Sequence, residues 1–304
     1  MSIKETRASK LRKLMKENKT LYFPAVYDAL SISMAESAGF EVVLISGSSI
    51  SNESIGITDI GVLSYGEYRN ILANMIHAST IPMIADVDTG FGGIPTILRM
   101  VEEYERMDIA GIMLEDQTFP KRCAYFNGLT VVPVEEMALR LKAAIEARTD
   151  PDFLIMARTD AACDESMGMD EALRRARIYH EMGADVVYIS APPTKEDIKR
   201  IKELDFPTAV CIIEGTITED FTVRDYEEIG IKFAIFPQTL IRAMMYASKY
   251  VLTSLKETGR TSDYRHILCT QKERGEYTRL PKYVAFESRI RGNNDRSIAD
   301  WDFE

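Results

Sequence analysis

The chain has 304 residues, 46% of them hydrophobic, enough for one large core; parallel α/β barrels reach this length as one domain, so length forces no split. Acidic residues outnumber basic ones by 47 to 37, a net charge of −10, which argues against nucleic acid or an acidic membrane surface as partner. No apolar run approaches the roughly 20 residues of a membrane helix, Met1-Ser-Ile-Lys4 lacks the apolar core of a signal peptide, and the scattered Cys123, Cys163, Cys211 and Cys269 lack zinc-site or disulfide spacing; the expected compartment is the cytosol.

Residues 6–18, with Leu11, Leu14 and Met15 among lysines, predict an amphipathic helix inside an N-terminal segment 1–20. Short apolar runs then alternate with helix-length periodic segments. Leu21–Tyr27 and Glu41–Ile45 are the first two runs, and a helix is expected over Tyr65–His77. The third run, Pro82–Ala85, leads into Asp86-Val-Asp-Thr-Gly-Phe-Gly-Gly93, followed by a helix over Pro95–Met107. Run Gly111–Leu114 precedes a helix over Val134–Ala147, and run Phe153–Ala157 precedes one over Asp170–Met182. Asp185–Ile189 is followed by the helix start Thr194-Lys-Glu-Asp197, then come Thr208–Ile213 and Lys232–Phe236. Glycines at Ala38-Gly39, Met182-Gly183 and Ile229-Gly230 stop helices just before strands.

Eight such units predict a (β/α)₈ TIM barrel, read as one domain over residues 1–304. A doubly wound sheet is disfavoured because no G-x-G-x-x-G follows the first run. Beyond the eighth run a helix is expected over 238–258. The remainder, about 260–304, is too long for a loop and predicts extra helices at Tyr264–Leu268 and Leu280–Arg291, packed on the barrel or on a neighbouring subunit.

Parallel barrels place their chemistry at the C-terminal strand ends. Those ends are Tyr27-Asp28, Ser46-Gly-Ser-Ser49, Asp86 and Asp88, Glu115-Asp-Gln117, Arg158-Thr-Asp160, Ser190, Glu214-Gly215 and Pro237. Asp86 and Asp88 lie two apart and so share one strand face. Carboxylates from several strand ends, with no histidine, are hard oxygen ligands suited to Mg²⁺ or Mn²⁺ and not to zinc. Arg158 beside a metal would clamp a carboxylate or a developing enolate; the plainer alternative is an ion pair with Asp160 or Glu115. The Ser46–Ser49 turn offers backbone N–H groups to a carboxylate or phosphate. About sixteen residues separate Gln117 from the next helix, well over the usual βα connection, and predict a lid. It carries Lys121-Arg-Cys123, a thiol flanked by two cations and thereby a candidate acid or nucleophile.

On these residues the chain resembles the isocitrate lyase/phosphoenolpyruvate mutase superfamily, from about Tyr22 to about Tyr250. The motifs are Tyr27-Asp-Ala-Leu30, Ser46-Gly47, Asp59-Ile-Gly61, Asp86-Val-Asp-Thr-Gly-Phe-Gly92, Glu115-Asp-Gln117, Pro120-Lys-Arg-Cys123, Ala157-Arg-Thr-Asp-Ala161 and Glu214-Gly215. The resemblance implies a (β/α)₈ barrel that binds Mg²⁺, acts on 2-oxo acids or their enolates, and assembles as a homotetramer, a dimer of dimers that exchange a C-terminal helix. It implies Asp86 as direct metal ligand, with Asp59, Asp88 and Glu115 acting through water. It places Ser46, Gly47, Ser48 and Arg158 on the substrate carboxylate and enolate oxygen, and Tyr27, Tyr125, Ser190, Cys211 and Glu214 against the remainder. Cys123, Lys121 and Arg158 would carry the catalysis.

The retained Lys121-Arg-Cys123 is similar to the carbon–carbon lyases of the 2-methylisocitrate and 2,3-dimethylmalate branch more than to the phosphonate-active members. The implied reaction is retro-aldol cleavage of a 2-hydroxy di- or tricarboxylic acid to pyruvate or glyoxylate and a second acid, with Cys123 protonating the departing carbanion. The alternatives are oxaloacetate hydrolysis or decarboxylation, phosphonate P–C chemistry, and a non-catalytic 2-oxo acid binding protein. Ala124-Tyr125, Ser190 and Cys211 stand where related lyases carry Gly-His, Glu and Asn, a pattern that fits a smaller or less charged substrate than isocitrate.

Overall fold

A computed structural model describes residues 5–17, 19–124, 126–164 and 166–292. Two compact units part between Ile241 and Arg242. In the first, eight strands run β1 (Leu21–Val26), β2 (Val43–Ile45), β3 (Met83–Asp86), β4 (Gly111–Glu115), β5 (Leu154–Thr159), β6 (Val186–Ile189), β7 (Thr208–Cys211) and β8 (Phe233–Phe236). Each pairs in parallel with the next and β8 pairs with β1, closing the barrel that the eight apolar runs predict. Strand ends differ from the predicted ones by one or two residues.

The helices are α1 (Arg7–Met15), α2 (Ala29–Ser37), α3 (Gly47–Ile50), α4 (Tyr65–Ala78), α5 (Ile94–Arg106), α6 (Val134–Ala147), α7 (Met169–Glu181), α8 (Lys195–Arg200), α9 (Val223–Ile229) and α10 (Thr239–Thr258), which continues into the second unit. Caps set their starts: Asp28 and Ser64 open α2 and α4 with reciprocal capping boxes, and Thr194 caps α8. The second unit holds the rest of α10, a 3₁₀ segment Ser262–Ile267, α11 (Gln271–Tyr277) and α12 (Leu280–Arg291). The helix expected at Tyr264–Leu268 is therefore 3₁₀, α11 is an unpredicted helix, and residues 293–304 lie outside the described ones.

Strand alternation splits the core in two. Phe23, Ile84, Met113, Met156, Tyr188, Ala209, Phe233 and Ile235 fill the barrel, while Val43, Ala85, Ile112, Leu114, Ile155 and Val187 face the helices. Leu11 of α1 is fully buried in the inner cluster with Leu21 and Leu154, which begin β1 and β5, so α1 plugs the N-terminal end of the barrel. Full burial of both strand faces explains the unbroken apolar runs. Register then sets the opposite end: Glu115 pairs with Arg158, Arg158 with Tyr188, and Asp86 with Met113.

Candidate active site

Asp86 ends β3 and Asp88 follows with φ of +49°, the left-handed region that non-glycine residues seldom occupy. Both carboxylates are buried, and Asp86 Oδ1 accepts the Asp88 backbone N–H at 3.3 Å. The predicted lid folds back over them. Its base is pinned where Gln117 bridges Val131 and the Thr118 N–H donates to the Thr130 carbonyl at 2.9 Å. Lys121, only 2% exposed, reaches down from this loop. Its ammonium lies 2.8 Å from Asp59 Oδ1, 2.5 Å from Asp88 Oδ1 and 3.9 Å from Glu115 Oε1.

Burial pushes Asp86 and Glu115 above the usual carboxylate range and Asp88 up to about 7, with Lys121 opposing the rise in each case. Burial pulls Lys121 the other way, but the surrounding carboxylates outweigh it and hold the ammonium charged.

Arg158 projects inward from β5. Its Nη1 lies 3.2 Å from Glu115 Oε2, its Nη2 donates to Asp160 Oδ1 at 2.7 Å, and the guanidinium stands 5.4 Å from the centre of the Tyr188 ring. Both ion pairs of the plainer alternative, with Asp160 and with Glu115, are thus present. Arg158 Nε, both Glu115 carboxylate oxygens and Asp160 Oδ2 are buried without a hydrogen-bond partner. Hard oxygen donors left in this state fit a hard, hydrated cation such as Mg²⁺. Among the described residues no three His, Cys, Asp or Glu side chains enclose a metal unaided. Mg²⁺ asks for only one or two carboxylates and keeps several waters.

Asp116 is absent from this cluster. One residue beyond Glu115, it points outward, accepting from Thr159 Oγ1 at 2.8 Å, Arg175 Nη1 at 3.0 Å and the Tyr179 hydroxyl at 2.8 Å. It ties β4 and β5 to α7.

A cavity of about 50 Å³ opens beside the acids, lined among others by Ser46, Ser48, Asp59, Asp86, Cys123 and Arg158. Ser46 Oγ caps α3 by accepting the Ser49 N–H at 3.1 Å, so the first N–H groups of that helix face the strand ends. Gly47 packs against both acids: an added Cβ would meet Asp88 Oδ1 at 3.1 Å and Asp86 Oδ2 at 3.7 Å. A second cavity, about 210 Å³, lies against Asp88, Lys121, Tyr65 and Phe91. The acidic cluster is therefore approached from two sides, and Cys123 lines the smaller one.

Cys123 is half-buried and its N–H donates to the Asp59 carbonyl at 3.2 Å. The cations flanking it in sequence spend their charge elsewhere, Lys121 on the carboxylates and Arg122 on the Asn127 carbonyl at 2.9 Å. Its place in the cavity wall, more than those neighbours, brings it to the side of the acids. Cys211 lines the same cavity from β7. Ser190 is buried behind it, 3.5 Å from Arg158 Nη2 and 3.4 Å from the Tyr188 hydroxyl. Tyr27, Ser190 and Glu214 are not among the described lining residues; Tyr27 is buried in the outer core and Glu214 accepts a hydrogen bond from Thr239. Tyr125 lies outside the described residues. Sequence reasoning passed over Tyr188 and Gln238, which also line the cavity. Tyr188 was signalled by its i+2 relation to Ser190, whereas nothing in the spacing marks Gln238.

The phosphoenolpyruvate phosphomutase family model matches residues 11–256. A 2,3-dimethylmalate lyase from Eubacterium barkeri is 35% identical over 276 residues, covering 90% of this chain and 95% of that protein. Among solved structures, an oxaloacetate acetylhydrolase in complex with 3,3-difluorooxalacetate superposes with a TM-score of 0.88 at 27% identity, covering 95% of this chain and 99% of that one. A phosphonopyruvate hydrolase complexed with oxalate and Mg²⁺ gives 0.84 at 28% identity, covering 94% and 99%.

Proposed function

The chain belongs to the phosphoenolpyruvate phosphomutase family, within the isocitrate lyase/phosphoenolpyruvate mutase superfamily of enzymes, and on that premise we propose a Mg²⁺-dependent carbon–carbon lyase. Its substrate is a 2-hydroxy di- or tricarboxylic acid, cleaved to a 2-oxo acid (pyruvate or glyoxylate) and a second carboxylic acid. The observation that carries this reading is Cys123 in the wall of the cavity that Arg158 and Asp86 also line.

Asp86 directly, and Asp59, Asp88 and Glu115 through water, would hold Mg²⁺ or Mn²⁺, which would supply Lewis-acid polarisation of the 2-oxo fragment. Arg158 and the first N–H groups of α3, at Gly47 and Ser48, orient its carboxylate and oxygen. The hydroxyl proton leaves to the carboxylate cluster, its bonding pair forms the new C=O bond, and the C2–C3 pair departs with the second acid. Cys123 Sγ gives its proton to that carbanion. Lys121, ion-paired to Asp59 and Asp88, holds the lid over the site so that solvent does not quench the carbanion first.

With Mg²⁺ and a panel of substituted malates and isocitrates, release of the 2-oxo acid is expected from wild type. In Cys123→Ser it should fall by about three orders of magnitude, within the usual range for loss of a general acid, while Cys163→Ser keeps its rate. Unaltered oxaloacetate consumption by Cys123→Ser would instead support hydrolysis, the second reading, which the likeness to the acetylhydrolase favours. The reading sets the reaction in a reducing compartment, the cytosol, where the thiol persists. No helix among the described residues is long and apolar enough to cross a membrane. We extend the proposal to a homotetramer: Tyr283, Phe286 and Ile290 of α12 are exposed apolar residues of the kind an intersubunit contact covers.

A further inference from the structure

We propose that Gln117 is a positioning residue: its side-chain amide fixes the lid at Arg122 and thereby places Lys121 and Cys123, the residues on either side, against the acidic cluster. This role rests on the lyase reading above for the chemistry that Cys123 performs, and adds to it a residue that touches neither substrate nor metal.

Gln117 stands on fixed backbone. It lies two residues beyond the end of β4, bridges Val131 at the far end of the lid, and accepts at its carbonyl from Arg140 of α6 at 3.0 Å. On either side of it the Val132 N–H donates to the Asp116 carbonyl at 2.8 Å and the Thr118 N–H to the Thr130 carbonyl at 2.9 Å. From this base the side chain, buried to within 1%, spans the first turn of the lid, and its Oε1 accepts the Arg122 N–H at 2.8 Å.

The lid is thus held at three consecutive residues. The Lys121 ammonium meets Asp59 and Asp88, the Arg122 N–H meets Gln117, and the Cys123 N–H donates to the Asp59 carbonyl at 3.2 Å. The first of these contacts uses carboxylates of the acidic cluster, for which a bound cation competes with the ammonium. The Gln117 contact uses none of them, so it keeps the turn in place whatever the cluster holds.

The chemistry of the amide points the same way. Its Nε2 is buried and has no hydrogen-bond partner among the described residues. An unpaired buried donor is destabilising, and an apolar side chain of equal length would avoid it. Packing alone therefore does not account for an amide here; the single acceptor contact to Arg122 does. Because a backbone N–H needs an acceptor, that contact also sets which end of the amide faces the lid.

Gln117→Met keeps the length and removes the acceptor, and two measurements test it. In the first, iodoacetamide alkylation of the Mg²⁺-loaded enzyme is followed cysteine by cysteine by mass spectrometry. Cys123 is expected to react about tenfold faster than in wild type, the weight of one hydrogen bond, while exposed Cys269 reacts equally in both and serves as reference. In the second, kcat on the acid that wild type cleaves should fall about 100-fold, as for a reacting group displaced by about 1 Å. KM should hold, because Arg158 and α3 are untouched. Gln117→Glu, whose carboxyl group accepts in either protonation state, should recover most of both. Gln117→Asn, too short to reach Arg122, should behave as Gln117→Met and replaces it if that variant does not fold. Unchanged alkylation of Cys123, a rise in KM alone, or a defect in Gln117→Glu equal to that in Gln117→Met would each overturn the role. Alkylation reads the lid without turnover, so it decides the matter even if no acid is cleaved and the lyase reading falls.

Discussion

Gly47 shows how little space surrounds the acidic pair. Its missing side chain is what lets α3 approach Asp86 and Asp88, since an added Cβ would lie 3.1 Å from Asp88 Oδ1. Gly47→Ala should displace that carboxylate by a few tenths of an ångström without disturbing the core. Divalent-metal affinity is then expected to fall about tenfold, equivalent to ~1.4 kcal/mol, while the melting temperature changes little. Mn²⁺ calorimetry beside thermal scans would check this; unchanged affinity would remove Gly47 from the site. Lys121 teaches a related lesson. Its place in the motif is plain in the sequence, but its neighbours there, Arg122 and Cys123, are not its partners. Those partners, Asp59 and Asp88, lie 62 and 33 residues earlier in the chain.

At the scale of elements, the two-residue period of a strand sorts the acids. Glu115 turns into the barrel and Asp116 turns out to α7, although both stand at one strand end and look equivalent in sequence. Asp116 serves the scaffold: Arg175 donates to it at 3.0 Å and to the Val132 carbonyl at 2.9 Å, linking α7 to the end of the lid segment. Arg175→Met strips a buried carboxylate of its cation, and stability is expected to fall by about 3–5 kcal/mol. Urea unfolding measures it; a loss below ~1 kcal/mol would show that Tyr179 and Thr159 alone satisfy Asp116. The lid length was legible because it exceeds an ordinary βα connection. The short α3 was not, because Ser46 to Ser49 reads equally as a turn or as a cap with one helical turn.

For the whole molecule, the consequence is a stability that depends on pH and metal. Asp86, Asp88 and Glu115 are raised by burial, Asp88 to about 7, against roughly 4 in an unfolded chain. Between those values the folded protein binds more protons than the unfolded one, so this contribution is full below about pH 4 and is lost as pH rises through 7. In a chelator, the melting temperature should therefore rise as pH is lowered from 8 to 6. Saturating Mg²⁺ should stabilise the protein and flatten that slope, because a cation favours the ionised carboxylates. A slope that is the same with and without Mg²⁺ would place the metal away from this cluster.

The sequence by itself determined the barrel and the rank of its strand ends. Eight short apolar runs have one economical closure, and strand periodicity turns Asp86 and Arg158 inward, whereas Asp88 lies beyond the end of β3 at φ +49° and owes its place beside Asp86 to the turn, not to a shared strand face. Only the tertiary structure decided who meets whom: Lys121 among Asp59, Asp88 and Glu115, the Arg158–Tyr188–Cys211 wall, and Gln238 at its rim. Most of those contacts join residues tens of positions apart, and their distances follow from register and barrel closure, quantities that no local spacing encodes.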